Sequence, residues 1–398
     1  MNLNVGIDVS KLKLDYCGMD SNKQVCFQGE VTNTPKGAGH IRDEILDSFL
    51  KEVITIIYID TSLGKDYLKQ SAVEQAFPEF LEKNTRFSDK LFYFYHPQKP
   101  IVICGVHQNV EAEVNMSFLK SHGIDLVRRN SGGGAVYVDP GNLTYCYIDT
   151  EATVQKPQFG KYAQPIIDTL HHLGVDAVKN GRNDLTVNGR KFSGMSASKT
   201  GHRVSYGGTL MINVNLDNAN EALTPSKVKL QAKGVKSVHS RVTNIRQFFK
   251  PAFSQITFDQ LENMILTTAF NTSDITKIPT YQLTKNDWQE ISELANQKYA
   301  THNWIYGPDN HFQYYRERYF EGIGTIEIGF SVQNQKVKHP KIFGDFLQVS
   351  GNLEKIEFQL DQTNFNQAAL IQALDPLDLK KAIGNIAPET LADLMLQN

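Results

Sequence analysis

Three consecutive glycines constrain this chain more than any other feature. They stand in "RRNSGGGAVYVDPGN", residues Arg128 to Asn142, shortly after two arginines and just ahead of strand-like sequence. Glycine adds no side-chain packing and loses more conformational entropy on folding than any other residue, so a triplet weakens any strand or helix that contains it. A backbone without Cβ atoms can instead wrap an anion at close range and aim several N–H donors at it, while guanidinium forks add bidentate, charge-assisted hydrogen bonds. The stretch therefore reads as a cradle for a phosphate or a carboxylate.

The rest of the chain limits what such a cradle can belong to. Its 398 residues suffice for two or three domains, each with a core of its own. A net charge of −2 and a pI of about 6.6 supply no global basic field for nucleic acid or an anionic membrane, so any anion site is local. The opening "MNLNVGIDVSKLKLD" lacks the organisation of a signal peptide, and apolar runs such as "VITIIYI" are strand-sized, which predicts a cytoplasmic protein. Cys17, Cys26, Cys104 and Cys146 show no CxxC spacing and read as buried free thiols, not as a zinc site or a disulfide framework.

Periodicity and turn signals divide the chain further. Residues Met1 to about Glu52 read as strands at Asn4–Val9, Asp15–Met19 and Val25–Val31 and a helix over Gly37–Lys51, too little to hold a stable core alone. A new unit begins with "TIIYIDTS" near Thr55. It continues with a helix over Tyr67–Glu82, strands in "KLFYFYH" and "PIVICG", and a helix from Val110 to His122 ended by Gly123. After the glycine stretch come the strand "GNLTYCYI" and a helix from Gly160 to Leu173 closed by Gly174. In "RNDLTVNGRKFSGMSAS" the pair Asn188-Gly189 predicts a type I′ hairpin turn, whose antiparallel strands bring Asp184 and Lys191 near each other. A strand "TLMINVNL", a short helix and loop over Pro225–Lys233, and helices over Thr257–Phe270 and Lys285–Tyr299 follow. Past the boundary signal Pro308-Asp309-Asn310, "GIGTIEIGFSVQN" and "GNLEKIEFQL" read as a β meander, with helices at Phe365–Leu374 and Pro388–Leu396.

Three ordered stretches, "RRNSGGGAVYVDPGNL", "GRNDLTVNGRKFSG" and "AKGVKSVHSRVTNI", together resemble the lipoate–protein ligase A family. "NWIYG" and "IFGDFL" resemble the junction and the accessory domain of its long-form members. The resemblance runs from about Thr55 to the end and implies an α/β (α+β) fold. Residues 53–306 would form a biotin/lipoate protein ligase-type catalytic domain and residues 307–398 a small α+β C-terminal accessory domain, with 1–52 as an N-terminal extension. It further implies activation of lipoate or octanoate with ATP and Mg²⁺, release of pyrophosphate, and attack on the acyl-adenylate by a lysine of a lipoyl carrier domain. The E2 subunits of 2-oxoacid dehydrogenases and the glycine cleavage H protein are the carriers it implies, with the enzyme a monomer that binds neither nucleic acid nor membrane.

By motif position, the resemblance gives Lys191 the task of bridging the acyl carbonyl and the phosphate oxygens in both half-reactions. Arg129, Ser131, Gly132, Gly133 and Gly134 would hold the two anions, which need positive charge and fixed dipoles to be pressed together. Asn142, Asn183, Ser193 and Gly194 would contact the adenylate or its acyl group, and Lys233 would close over the nucleotide. Asp184 is a candidate for Mg²⁺ or the ribose; Mg²⁺ keeps several waters and takes only one or two carboxylates.

The chain departs from the family pattern at several places. Val138 and Gly207 stand where the family carries histidines, Val106 where a basic residue is common, and His239 where arginine is frequent. Two other readings therefore compete: a carrier-to-carrier amidotransferase, for which Cys146 is the candidate nucleophile, and a degenerate lipoyl-adenylate binder. The opening "VGIDVSKLKLDY" resembles the amino terminus of insertion-sequence transposases, with Asp8 at a metal-binding carboxylate position, but only that fragment is present. Two-metal chemistry needs several converging carboxylates, so Asp8 is expected to be inert.

Overall fold

In a computed structural model of the protein, Asn188 and Gly189 have φ of 50° and 73°, both left-handed, as a type I′ hairpin turn requires. The structure describes residues 4–10, 12–19, 25–42, 56–87, 89–149, 157–224, 241–307, 311–347 and 352–397. These fall into two units, Met1–Ile57 and Tyr58–Asn398.

The first unit is an antiparallel meander of β1 (Asn4–Val9), β2 (Lys13–Met19) and β3 (Val25–Thr32). Residues 35–42 are helical, and the remainder of the predicted helix lies outside the described residues. Leu14, Tyr16 and Ile41 make a small apolar cluster. Asp8 is exposed, opposite Asp15 in the β1–β2 register.

The second unit is entered within β4 (Ile56–Asp60) and contains β5 (Lys90–Tyr95), β6 (Ile101–Cys104), β7 (Asp125–Arg128), β8 (Val136–Val138) and β9 (Asn142–Asp149). It continues with β10 (Val178–Asn180), β11 (Asp184–Val187), β12 (Arg190–Thr200), β13 (Arg203–Met211), β14 (Thr280–Gln282), β15 (Tyr314–Phe320), β16 (Gly324–Gln333) and β17 (Lys336–Gly344). Eight of these form one sheet in the order β10-β11-β12-β13-β9-β5-β4-β14, and two three-stranded sheets have the orders β7-β6-β8 and β15-β16-β17. The last, with the helices Leu353–Leu360, Gln367–Leu374 and Pro388–Leu396, encloses a core of its own around Ile328, Phe330, Leu360, Leu370 and Leu391.

Gly123 (φ 61°) and Gly174 (φ 99°) end their helices in the left-handed conformation, as their sequence positions predict. Two expectations are corrected. The helix over Val110–His122 is broken, because Val114 turns extended to bridge Leu223 and Asn115 starts a new helix by accepting from the Phe118 N–H. "GNLEKIEFQL" is a helix, Leu353–Leu360, not a strand. Asn352 caps it by accepting from the Lys355 N–H, and Leu353, Ile356 and Leu360 fall on one apolar face.

Arg128 joins the three-stranded β7-β6-β8 sheet to the segment that leads into the last sheet. Its Nε donates to the Trp304 and Ile305 carbonyls at 2.9 Å each, and its Nη1 donates to those of Gly105 (2.7 Å), Val106 (3.2 Å) and Gln108 (2.8 Å). Trp304 Nε1 returns a bond to the Arg128 carbonyl at 2.8 Å. The first of the two arginines is thus a structural clamp.

Candidate functional site

Arg129 organises the glycine stretch by hydrogen-bonding to its carbonyls. Its Nε donates to Ser131 Oγ (3.1 Å), Nη1 to the Ile103 carbonyl (3.1 Å), and Nη2 to the carbonyls of Gly132 (2.7 Å) and Gly134 (3.0 Å). A guanidinium has five N–H donors, so most of this one is spent on shaping the loop, and what it supplies to the space beyond is chiefly charge. Burial pulls its pKa down to about 10, which leaves it a cation at neutral pH.

The three glycines serve different ends. A Cβ on Gly132 would lie 2.3 Å from the Phe346 carbonyl oxygen, so its bare backbone admits the segment that follows β17. Gly133 is left-handed at φ 96°, and its N–H donates to that same carbonyl at 3.1 Å. Its own carbonyl packs so closely on Gly105 that a Cβ there would approach it to 2.1 Å. Only around Gly134 is the space open, with no atom within 4 Å of where its Cβ would stand. The expected anion cradle is therefore partly a docking seat for the protein's own backbone.

His107 completes that seat. Its ring stacks on Phe346 with centroids 4.7 Å apart, and its carbonyl accepts from the Gly344 N–H at 2.9 Å. Burial, aided by Arg128 and Arg129, pushes the imidazole down to about 4 from its ordinary 6.5. The folded protein then binds fewer protons than the unfolded chain in this range. The associated stability is complete above about pH 6.5 and is lost as pH falls through about 4. Urea unfolding at pH 7 and pH 4.5 should show His107→Phe losing about 2 kcal/mol less than the parent between the two; equal losses would contradict the assignment.

Opposite the loop, the β11–β12 hairpin carries Lys191. Its Nζ lies 2.8 Å from Asp184 Oδ1, and Arg241 Nη2 lies 2.6 Å from Asp184 Oδ2. A bulge places Leu185 opposite Ser193 but Thr186 opposite Lys191, so one extra residue on β12 shifts its alternation. Lys191 consequently shares a face with Gly194 and Asp184, while Ser193 points the other way. The lysine crosses over Gly194, where a Cβ would meet Nζ at 2.6 Å. Burial lowers the Lys191 pKa and Asp184 partly restores it; burial raises that of Asp184, but the two cations outweigh it and hold the carboxylate below its usual range.

One cavity of about 550 Å³ collects these groups, lined among others by Arg129, Ser131, Gly133, Gly134, Asn183, Asp184, Lys191, Gly194 and Arg241. Asn183 is fixed there, its Nδ2 donating to the Met195 carbonyl at 2.5 Å. Three predicted site residues do not line the cavity. Gly132 sits under Phe346, Ser193 is buried on the far face, and Asn142 is buried at the start of β9, accepting from the Asp139 N–H at 3.0 Å. Lys233 and His239 lie outside the described residues. Arg241 was not singled out from the sequence, although it stands in the third motif stretch, because a lone loop arginine reads as a solvated residue. The buried Glu79 and Glu82, which also face the cavity, left no local signal.

Asp184 fits poorly as a metal ligand, since each of its oxygens already holds a cation. Among the described residues no group of three or more His, Cys, Asp or Glu is placed to hold a metal ion. Nor does any helix among them have the length and apolarity to cross a membrane. Cys146 lines the cavity, but burial pushes its thiol up to about 12, far from the activated thiolate that a transfer nucleophile needs. Val138 is buried against Ile101, Ile103 and Val127, so the histidine expected there would enter an apolar cluster.

Comparison with known proteins agrees with the motifs. The family model for the lipoyl protein ligase A/B catalytic domain matches residues 66–270, and that for the bacterial lipoate protein ligase C-terminus matches residues 309–395. The chain is 34% identical to the lipoate-protein ligase LplJ of Bacillus subtilis, over 85% of this chain and 100% of that one. It is 38% identical to lipoate–protein ligase 1 of Staphylococcus aureus, over 84% of this chain and 99% of the other. Among solved structures, P. falciparum LipL1 in complex with lipoate shares the fold, with a TM-score of 0.60 at 20% identity over 82% of this chain and 94% of that one. A lipoate-protein ligase A bound with ATP does so with a TM-score of 0.50 at 20% identity, over 64% and 98% of the two chains.

Proposed function

The chain belongs to the lipoate–protein ligase family, and from that premise we propose how its residues divide the work. The enzyme uses ATP to activate lipoate as lipoyl-adenylate, with release of pyrophosphate, and then passes the acyl group to the lysine of a lipoyl carrier domain. One observation carries the assignment of the site: Lys191, braced by Asp184 and Arg241, faces the same cavity as the loop that Arg129 shapes.

Attack of a carboxylate on an α-phosphate brings two anions together, and negative charge accumulates on the phosphate oxygens as pyrophosphate departs. Groups whose positive charge is fixed before the reaction stabilise that build-up without reorganising. In our reading the Lys191 ammonium sits between the acyl carbonyl and the phosphate oxygens, while Asp184 keeps it protonated and aimed. Arg129 adds charge from behind the loop, and Ser131, Gly133, Gly134 and Asn183 line the path of the adenylate. In the second half-reaction the same ammonium polarises the carbonyl that the carrier lysine attacks, and AMP leaves.

Mg²⁺ would be held chiefly through the nucleotide's phosphates and water, because among the described residues no group of three or more His, Cys, Asp or Glu is placed to hold a metal ion. The residues before about 53 form an extension to a catalytic part reaching to about 306, with the remainder as the accessory part. E2 subunits and the glycine cleavage H protein are the carriers we propose, for a cytoplasmic enzyme. Purified protein with Mg-ATP, lipoate and an apo carrier domain should release pyrophosphate and raise the carrier mass by one lipoyl group. Transfer from an acylated carrier without ATP, or tight lipoate binding with neither product, would refute the reading.

A further inference from the structure

Arg241 reaches Asp184 from a segment that the fold pins down independently of the Lys191 side chain. The Thr243 N–H donates to the Lys191 carbonyl at 2.8 Å, Val242 pairs with Lys191 in a parallel bridge, and Arg190 Nη2 donates to the Val242 carbonyl at 2.5 Å. Asn244 binds the Val214 backbone twice, accepting from its N–H at 2.8 Å and donating to its carbonyl at 2.9 Å. The Ile245 N–H closes the strap on the Met211 carbonyl, also at 2.8 Å. Arg241 therefore stays at Asp184 wherever the lysine ammonium turns.

Charge shows what that achieves. A carboxylate accepts through two oxygens, and an ammonium has three donors. As an isolated pair, Lys191 and Asp184 would cancel, and the carboxylate could draw the ammonium onto both oxygens and away from the cavity. With Arg241 Nη2 on Oδ2 at 2.6 Å, the lysine is held through Oδ1, at 2.8 Å. Two cations against one carboxylate leave a net positive charge at the cavity that all three residues line. The Asp184 side chain is only 18% exposed, so water does little to replace a missing guanidinium.

We propose that Arg241 is a positioning residue for the adenylation step: it occupies Asp184 so that the Lys191 ammonium, held by one oxygen only, is free to engage the two reacting oxyanions. The proposal rests on the ligase reading above. Arg241 acts through Asp184 and needs no contact with the substrate. That separates its part from the part of Arg129, which works through the carbonyls of the glycine loop.

The test measures pyrophosphate release against lipoate concentration at saturating Mg-ATP for the parent, Arg241→Gln, Arg241→Lys, Asp184→Asn and the double variant Arg241→Gln/Asp184→Asn. Glutamine should lower kcat by ~10–100-fold with less than ~3-fold change in KM for lipoate, and lysine, which keeps the charge, should recover at least ~5-fold of that loss. Because Asp184→Asn removes the carboxylate that Arg241 occupies, the double variant should lose at least ~10-fold less than the product of the two single losses. Should glutamine impair folding, methionine, which keeps the apolar stem, takes its place in the cycle. Losses that multiply, no loss with glutamine, a lysine variant no better than glutamine, or a change confined to KM would overturn the proposal. A parent that releases no pyrophosphate would instead count against the ligase reading itself.

Discussion

Lys191→Ala should lower the rate of carrier lipoylation by ~10²–10³-fold while leaving the chain folded, the scale on which removing one preorganised charge-stabilising group acts. The loss should appear in both half-reactions, because the same ammonium serves the phosphate oxygens first and the acyl carbonyl later. Single-turnover pyrophosphate release reports the first step, and transfer from chemically made lipoyl-adenylate reports the second. Thermal unfolding should change little, since Asp184 keeps Arg241 at 2.6 Å when the lysine is gone. A variant defective in only one step would show that two different groups share the work. A variant that unfolds would show that Lys191 is a structural member of the hairpin.

Gly132→Ala should disrupt the seat on the glycine loop, and Gly134→Ala should not. The first would place a Cβ 2.3 Å from the Phe346 carbonyl oxygen and 3.4 Å from the Leu347 Cα, both backbone atoms that cannot rotate aside. The segment after β17 must then lift, with loss of its bond from the Gly133 N–H, at a cost of about 1–3 kcal/mol. The second meets nothing within 4 Å, so its effect on stability should stay within about 0.5 kcal/mol. Because Gly134 lines the cavity, its variant should raise KM for the acid instead. Thermal melting and proteolysis around Phe346 separate the two cases; equal behaviour would mean that the triplet acts as one flexible hinge.

These cases also mark what the sequence made legible. The hairpin at Asn188-Gly189, the glycine helix ends and the proximity of Lys191 to Asp184 are local, set by φ demands and strand alternation within a few residues, and each could be read directly. The bulge that turns Ser193 away from the cavity could not be read, because a register shift depends on the partner strand. The contact between Gly133 and Phe346 joins residues distant in sequence, and neither position carries a trace of it. So the glycine run suggested a ligand cradle, while part of its bare backbone accommodates another segment of the same chain. Buried Glu79 and Glu82 are legible only once the helix Ser71–Lys83 is laid over the cavity, since a helix pattern marks such carboxylates for solvent.

The central claim is that the reacting carbonyl lies between the Arg129-shaped loop and the Lys191 ammonium. A crystal structure of the protein with a non-hydrolysable lipoyl-adenylate analogue tests it most directly. The account predicts Lys191 Nζ within ~3.2 Å of the acyl carbonyl or of the group replacing the phosphate. An analogue bound elsewhere, or bound in this cavity with the lysine still turned only toward Asp184, would contradict it.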